Sequence, residues 1–600
     1  MARTYLEAAV TNEQPRVLVM DYAKTIGGTW AYERIYPGLK TNNVAGTYEF
    51  SDLPMDLDRY SLKAGQHIPG LTVHHYLSDF AEHFGLKDLI RLETKVLAAT
   101  MSEDGTWLID FSDRNAGNLH EQPTARRLKT KKLVLATGLT SEPFMPSLPG
   151  QHRFQGNMIH SKQLKEGMDV IKQSRNVVVI GGNKSAWDVC YAAAMAGAQV
   201  HMVMRPSGGG PSWVWRPIQI FSFQTSLSRL SLTRLFTWFD PWPFSSSEGV
   251  MKKFLNRSTL GRRVRSWFWN ILDYYVCRAN GYSSNRAVRL MKPWTSTFWM
   301  GNSLSIHNYD TNWFQLVKDG RVVPHIAEIS SLDRRSVHLT SGIEVEADIV
   351  VACTGWKSIP SIDFKVGNLQ GQLPSVLGGT QLGISDLGSS SFLKISQSPE
   401  EGSFTSSNST CSDQSIREAR NVVIRLCPDL VIKPVRSLPT GLLGESEDAD
   451  PGPASAPFCL YRFMVPSSDA FLATRNLAFI GAHLSIHAVM LAQVQALWIT
   501  AFFQGLSPNV QGGAGTMRQE ALLQSEYERV RRPKEAGGSG ARFPDLVFDS
   551  LPYMDMLLED LAMKTKRKSS WISEIFQPYK LADYRGLISE WHENRKKSIA

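Results

Sequence analysis

The residues Gly181-Gly182-Asn183-Lys184-Ser185-Ala186 are of the right types and spacing to grip a dinucleotide. The apolar run Val177–Ile180 precedes them and predicts a buried strand, while Ser185–Ala196 predicts a helix. At such a strand-to-helix turn the first backbone N–H groups have no partner within the helix, so they can face a pyrophosphate. Gly181 and the small Ala186 fit the ends of the G-x-G-x-x-G/A fingerprint; Gly182 and Ser185 lie within the loop, and Asn183 replaces the second glycine. A further strand, Gln199–Met204, is followed by Arg205 rather than an acid. A guanidinium complements a 2′-phosphate, whereas an acid would accept from a ribose hydroxyl, so this unit favours NADPH over NADH. The competing reading is a plain βαβ unit that holds no ligand.

A second nucleotide unit is expected near the N-terminus. Val17–Asp21 is an apolar run closing on an acid, where a ribose contact is wanted. From Gly181 to Met204 is 23 residues, and the same interval counted back from Asp21 falls before Met1. Ala2–Glu7 therefore reads as the end of the helix after a first glycine loop, and the sequence is expected to start inside that βαβ unit. The positioning elements alternate accordingly. Tyr76–Leu86 predicts a helix. Lys132–Gly138 and Ala347–Gly355 predict buried strands ending at Thr-Gly, and Pro143, Pro146 and Pro149 predict a stiff crossing between domains. Gly383–Ser415 and Gly441–Pro457 read as loops. The fold class is α/β with parallel sheets, built from two dinucleotide-binding (Rossmann-like) domains plus a helical insertion and a helical C-terminal tail.

Composition narrows the function classes. Lys plus Arg is 65 against 56 Asp plus Glu, a net charge of +9. Residues 201–300 alone hold 14 Lys/Arg, three acids and eight of the 16 tryptophans, so the basic excess belongs to one segment and a nucleic-acid role for the whole chain is not expected. That segment reads as a solvated helical insertion or, more sharply, as a lid or membrane-surface patch, since Trp beside Arg suits an interface. The six cysteines are dispersed with no C-x-x-C pair, which argues against a metal site, a disulfide scaffold and a dithiol redox centre. A reduced, cytoplasmic setting is the expectation, with possible membrane association through 206–300. Leu477–Phe503 is long enough to span a bilayer, but His483, His487, Gln493 and Gln495 interrupt it, so a strand followed by a buried helix is the preferred reading.

The ordered series of motifs resembles the flavin-containing monooxygenase family, and fungal secondary-metabolism members most in style. The series runs through Gly27-Gly28-Thr29-Trp30, Tyr36-Pro37-Gly38-Leu39-Lys40-Thr41-Asn42-Asn43, Phe50-Ser51-Asp52-Leu53-Pro54-Met55 and Ala136-Thr137-Gly138. It continues with Phe154 to His160 (an F-x-G-x-x-x-H identifier), the Gly181 loop, Cys353-Thr354-Gly355-Trp356, Asn476 to Gly481 and Gln495 to Trp498. Three departures stand out: no first glycine loop, Asn183 for glycine, and Leu164 where the family's N/S-oxygenating branch has Tyr or Phe and its Baeyer–Villiger branch Trp. The last leaves the reaction subtype open.

The resemblance implies FAD and NADPH as cofactors. It also implies insertion of one atom of O2, through a flavin C4a-peroxide, into an apolar small-molecule metabolite. Asp21 would hold the FAD ribose; Gly27, Gly28, Thr29, Trp30 and Gly481 would line the flavin; Asn42 would reach the reacting centre. The implied domains are 1–150 and 346–505 for FAD, 151–345 for NADPH with the insertion 206–300, and 506–600 for the tail. His160 is read as positioning a linker and Asp52 as a turn or cap. The rival readings are a flavin disulfide reductase, which the cysteine spacing disfavours, and a non-catalytic or flavin-deficient remnant lacking the first phosphate loop.

Overall fold

The computed structural model describes residues 1–10, 14–113, 126–220, 223–245, 249–299, 304–357, 362–365, 413–438, 459–510 and 513–599. The N-terminal part opens with α1 (Ala2–Ala8) and continues through the short strands β1 (Val19–Met20), β2 (Lys40–Val44), β3 (Ile90–Arg91) and β4 (Leu133–Leu135). β1 pairs in parallel with β3, and β2 pairs antiparallel with His67–Pro69. The helix expected at Tyr76–Leu86 runs instead over Gly70–His83. It stops there because Gly85 turns to φ +61°, where the Gly85 and Leu86 amides close back onto the Glu82 and Ala81 carbonyls.

The middle of the chain supplies β5 (Asn157–His160), β6 (Asn176–Ile180), α2 (Lys184–Met195) and β7 (Gln199–Met204). An excursion follows that carries α3 (Val250–Arg257) and α4 (Thr259–Asn280), and the chain returns through β8 (Val322–Ile326) and β9 (Ile349–Ala352). These five strands form one all-parallel sheet in the order β8-β7-β6-β9-β5. Val177, Val178, Val179 and the whole of β9 are buried, which explains their unbroken apolar runs: both faces of a parallel sheet are covered. The excursion is not wholly helical, since Trp213–Trp215 pairs with Leu304–Ile306 and Ile218–Ile220 with Phe223–Thr225.

Two antiparallel crossings lead into and out of this sheet. The Phe144 amide donates to Gly355 O at 3.0 Å and the Lys357 amide to Glu142 O at 2.9 Å. The chain then closes with β10 (Leu477–Phe479), parallel to β4, and with α5 (Ala488–Phe503), α6 (Ala514–Arg531) and α7 (Ser550–Asp560). α5 is apolar all round because it is buried all round. No helix among the described residues is long and apolar enough to cross a membrane. The C-terminal residues are no loose tail: Tyr553, Leu557 and Trp591 join Leu491 and Trp498 of α5 in one core. Of the two expected loops, Gly441–Pro457 and residues 383–412 lie outside the described residues, while Asp413 opens a helix to Leu426.

Candidate active site

The best-defined site lies at the end of β6. Here the strand order reverses, with β7 on one side of β6 and β9 on the other, and such a switch point opens a crevice at the carboxyl ends of the strands. Gly181 has φ +134°, and a Cβ there would stand 2.5 Å from Cys353 O at the end of β9. Gly182 has no room either: its Cβ would meet Gly210 O at 2.4 Å. Asn183 caps α2 with extended backbone, so the loop keeps a helix N-terminus free of carboxylates despite the missing second glycine. Ser185 is half-buried at that first turn and Ala186 is fully buried against the sheet. The residues present therefore fit a dinucleotide pyrophosphate.

Arg205 is exposed at the end of β7. Its nearest functional neighbour is not legible in the sequence. Arg542 is exposed on the C-terminal segment; partial desolvation and then the charge of Arg205 lower its affinity for a proton, so the two guanidinium groups feel each other. The C-terminal segment brings Arg542 there, because Gly537 and Gly209 pack backbone to backbone, each leaving no space for a Cβ on the other.

A half-buried polar cluster joins this half to the N-terminal half. Asp188 Oδ1 accepts from the Tyr309 hydroxyl at 2.8 Å and Oδ2 from the Tyr36 hydroxyl at 3.2 Å, while Lys184 pairs with the same carboxylate. Burial and the adjacent carboxylate raise both tyrosine hydroxyls well above their ordinary range. The sequence pattern singles out none of these roles, although Lys184 and Asp188 stand at i,i+4 on α2, a spacing that places them on one face.

His160 serves a crossing, as its linker reading requires. Its Nδ1 accepts from the Lys162 amide at 3.0 Å, so Nε2 carries the proton and donates to Gly355 O at 3.0 Å. The ring stands edge-on to Trp356, and burial lowers its pKa, which keeps it neutral.

The remaining predicted residues gather in the N-terminal and closing parts. Asp21 Oδ1 accepts from the Ala23 amide at 2.9 Å, which leaves Oδ2 for a further donor. Gly27 (φ +119°) and Gly28 (φ +59°) form a turn into Gly28–Trp30 that only glycine enters without strain, and a Cβ on Gly27 would lie 2.9 Å from the Trp30 backbone. Thr29 Oγ1 lies 2.9 Å from Thr140 Oγ1, and Trp30 Nε1 donates to the Tyr48 hydroxyl at 2.9 Å. Asn42 sits on the half-exposed side of β2. Its neighbour Asn43 donates through Nδ2 to Ile486 O at 2.9 Å, so β2 lies against the loop that follows β10. On the other side Asn308 Nδ2 reaches the Lys40 and Thr41 carbonyls, which places Asn42 where three parts of the chain meet.

Gly481 (φ +70°) begins that closing loop, and its amide donates to Gln495 Oε1 at 3.2 Å. Gln495 Nε2 donates to the Tyr553 hydroxyl at 3.0 Å, and Ser231 of the excursion reaches His487 Nε2 at 3.0 Å. Asp52 proves to be more than a cap: Oδ2 pairs with Arg3 at 2.8 Å and Oδ1 accepts from the Gly586 amide, tying α1 to the C-terminal residues.

The fit to FAD is uneven along the molecule. Asp21, the two strained glycines and Gly481 suit a ribose and a flat ring approached by backbone. For the pyrophosphate between them, no glycine loop at a helix N-terminus stands beside β1 among the described residues. The pairs β1–β3 and β4–β10 likewise share no strand among them.

A parallel sheet with a glycine loop at its switch point, joined by paired crossings to a second α/β part, is the fold class of dinucleotide-binding α/β proteins. The sequence profile of flavin-binding monooxygenase-like proteins matches residues 14–255. The FAD-dependent monooxygenase rstn6 of Aspergillus nomiae is 32% identical over 615 residues, covering 99% of this chain and 96% of the relative. The FAD-dependent monooxygenase resA of Aspergillus sclerotiorum is 32% identical over 617 residues, with the same coverage of 99% and 96%. In fold alone, an open crystal structure of cyclohexanone monooxygenase is similar with a TM-score of 0.51 at 14% identity, covering 91% of this chain and 92% of that one. The chain belongs to the flavin-binding monooxygenase-like family and is an FAD-dependent monooxygenase.

Proposed function

We propose that the chain uses NADPH as electron donor to place one oxygen atom of O2 on an apolar small molecule of fungal secondary metabolism. The observation that carries the NADPH part is the pairing of the Gly181-Gly182 loop at the α2 N-terminus with Arg205, exposed at the end of β7. Backbone amides of Gly182 and Ser185 take the pyrophosphate, with Gly181 and Ala186 leaving room for it while their own amides donate to Val203 O and Asn183 O, and Arg205 takes the 2′-phosphate. FAD, when bound, supplies the two-electron and O2 chemistry that amino-acid side chains lack.

The chain's own residues position and shield. Asp21 accepts from the ribose of FAD; Gly27, Gly28, Thr29 and Trp30 form one wall of the flavin site and Gly481 the other. Asn42 presents an amide to the reacting centre from a strand fixed by Asn43 and Asn308. Burial of Gln495, His487 and Ser231 keeps water from the closing loop, which protects reactive intermediates from hydrolysis. The chain divides on this reading into an FAD part at 1–150 and 346–505 and an NADPH part at 151–345, a division that the paired segments around Phe144 and Gly355 support.

The test is the purified full chain. Bound flavin at near one equivalent, NADPH oxidation stimulated by an apolar candidate substrate, and one atom of label from labelled O2 in the product are the expected results. A chain without flavin that fails to take it up supports instead the flavin-deficient remnant. Product without label rejects oxygen insertion.

A further inference from the structure

Helix α4 is apolar on two opposite sides. One side holds Trp269, Leu272 and Val276, buried in a core shared with Val547 and Phe548, with Arg265 buried beside them. At about 100° per residue, Leu260, Val264, Trp267, Ile271, Tyr274 and Tyr275 fall on a stripe facing the other way. They are exposed: Leu260 by 63%, Trp267 by 67% and Tyr274 by 62%. Val250 of the neighbouring α3 is a further exposed apolar residue, at 86%. A buried core satisfies the first side, so folding gives no reason for the second.

Charge identifies what would cover it. Residues 249–280 hold seven Lys/Arg and one acid, Asp273. Asp273 is turned inward, accepting from the Thr297 amide at 3.1 Å. Lys253, Arg257, Arg263 and Arg278 are exposed around the stripe. The platform is firm, because α3 and α4 pack so closely at Gly261 that a Cβ there would stand 2.0 Å from Phe254 O. A second copy of this chain would bring cations against cations. An anionic lipid surface brings phosphate and carboxylate groups to the cations and acyl chains to the stripe, with Trp267, Tyr274 and Tyr275 suited to the boundary between them.

We propose that the α3–α4 face docks on anionic membrane surfaces, with α4 lying in the plane of the headgroups. The exposed part of α4 spans about 27 Å along that plane, from Leu260 to Arg278 at 1.5 Å per residue. This docking rests on the surface alone and is independent of the reaction proposed above.

The experiment is co-sedimentation of the full chain with phosphatidylcholine vesicles, with and without about 30% phosphatidylserine, at low and raised salt. The chain is expected to pellet with the anionic vesicles, to stay in solution with the neutral ones, and to be released as salt rises. The double variant Leu260→Glu/Trp267→Glu is expected to lose binding by about tenfold or more. An unchanged melting temperature in that variant separates the loss from misfolding, and Arg263→Glu/Arg278→Glu tests the charge by itself. Wild-type protein that remains in the supernatant with anionic vesicles overturns the proposal. So does a solution dimer that Leu260→Glu/Trp267→Glu dissociates, which assigns the stripe to a second copy. No turnover is measured, so either result leaves the monooxygenase reading where it stood.

Discussion

The Tyr36 hydroxyl and Asp188 Oδ2 stand 3.2 Å apart, a hydrogen bond that joins the N-terminal part of the chain to α2 of the five-stranded unit. Tyr309 and Lys184 meet the same carboxylate, so one side chain fixes three segments. Removing it leaves the half-buried Lys184 ammonium with the Tyr309 hydroxyl alone, a loss of about 2 kcal/mol. Asp188→Ala is expected to lower the unfolding free energy by that amount and to raise the KM for NADPH with the flavin still bound. An unfolding midpoint equal to wild type would show that the cluster holds nothing together.

Two glycine substitutions separate backbone strain from lack of space. Gly28 has φ +59° and nothing within 4 Å of the position a Cβ would take, so Gly28→Ala meets only the left-handed penalty, about 1 kcal/mol. Gly182 has ordinary φ, but its Cβ meets the Gly210 carbonyl, which is backbone and cannot swing aside. Gly182→Ala is expected to cost about 2–3 kcal/mol and to weaken NADPH binding. Denaturant titration of both variants checks the order; Gly28→Ala proving the more damaging would contradict the site as described.

Arg205→Ala is expected to weaken binding of NADPH by about tenfold to a hundredfold, the worth of a charge-assisted contact to phosphate, and to leave NADH unaffected. Arg542→Ala should act in the same direction. Equal losses for both nucleotides would place the 2′-phosphate elsewhere.

These sites differ in how much of them can be read from residue order. Local patterns carry the strands of the nucleotide unit: Gln199–Met204 is the strand the sequence pattern marks, and α2 begins one residue before Ser185. Short-range geometry decides such elements, because an apolar run buried on both faces and a glycine at its end leave few alternatives. Asp188 escapes a sequence reading because its meaning lies in partners more than 100 residues away: it meets Tyr36 across 152 positions and Tyr309 across 121. Apolar spacing alone puts the helix at Gly70–His83 too late, since that spacing is clear only in its second half, whereas its start follows Pro69. The Ser-rich stretch blurs into Asp413–Leu426, whose apolar side, with Ala419 and Val423 buried, becomes evident only against the core it joins.

Two buried histidines and one buried acid make stability depend on pH in opposite senses. Burial pushes His483 down to about 4 and His487 to about 3, so the folded chain keeps both neutral while the unfolded chain protonates them below 6.5. Each lowers stability on acidification by up to about 1.4 kcal/mol per pH unit between 6.5 and its folded value. Glu528 works in the opposite sense. Burial raises it to about 8, so the folded chain retains a proton that the unfolded chain releases above 4.5, and stability falls as pH rises from 4.5 through 8. Glu528→Gln is expected to flatten the loss of stability as pH rises, and His487→Gln the loss on acidification, each read as melting temperature against pH beside wild type. A profile that Glu528→Gln leaves unchanged would remove the acid from the account.

Asp560 is where the C-terminal helices are fastened to the closing part of the fold. It accepts from Arg462 Nε at 2.8 Å and Nη2 at 3.0 Å, and from Trp498 Nε1 at 2.8 Å. Arg462 is held in the left-handed region at φ +53°, a conformation that costs a non-glycine residue about 1 kcal/mol. The paired carboxylate offsets this by fixing the guanidinium, which also meets Glu520 at 2.9 Å. Asp560→Ala therefore removes three charge-assisted or buried bonds at once and leaves a mostly buried guanidinium with one partner. The expected loss is about 3–5 kcal/mol, read as a lower unfolding midpoint. Because Trp498 lies on the same helix as Gln495, which holds the Gly481 amide, the damage should reach the flavin site. Flavin is expected to dissociate from Asp560→Ala at a lower temperature than from wild type. If unfolding comes earlier but flavin release keeps its wild-type temperature, the C-terminal helices stabilise the core without supporting the closing loop.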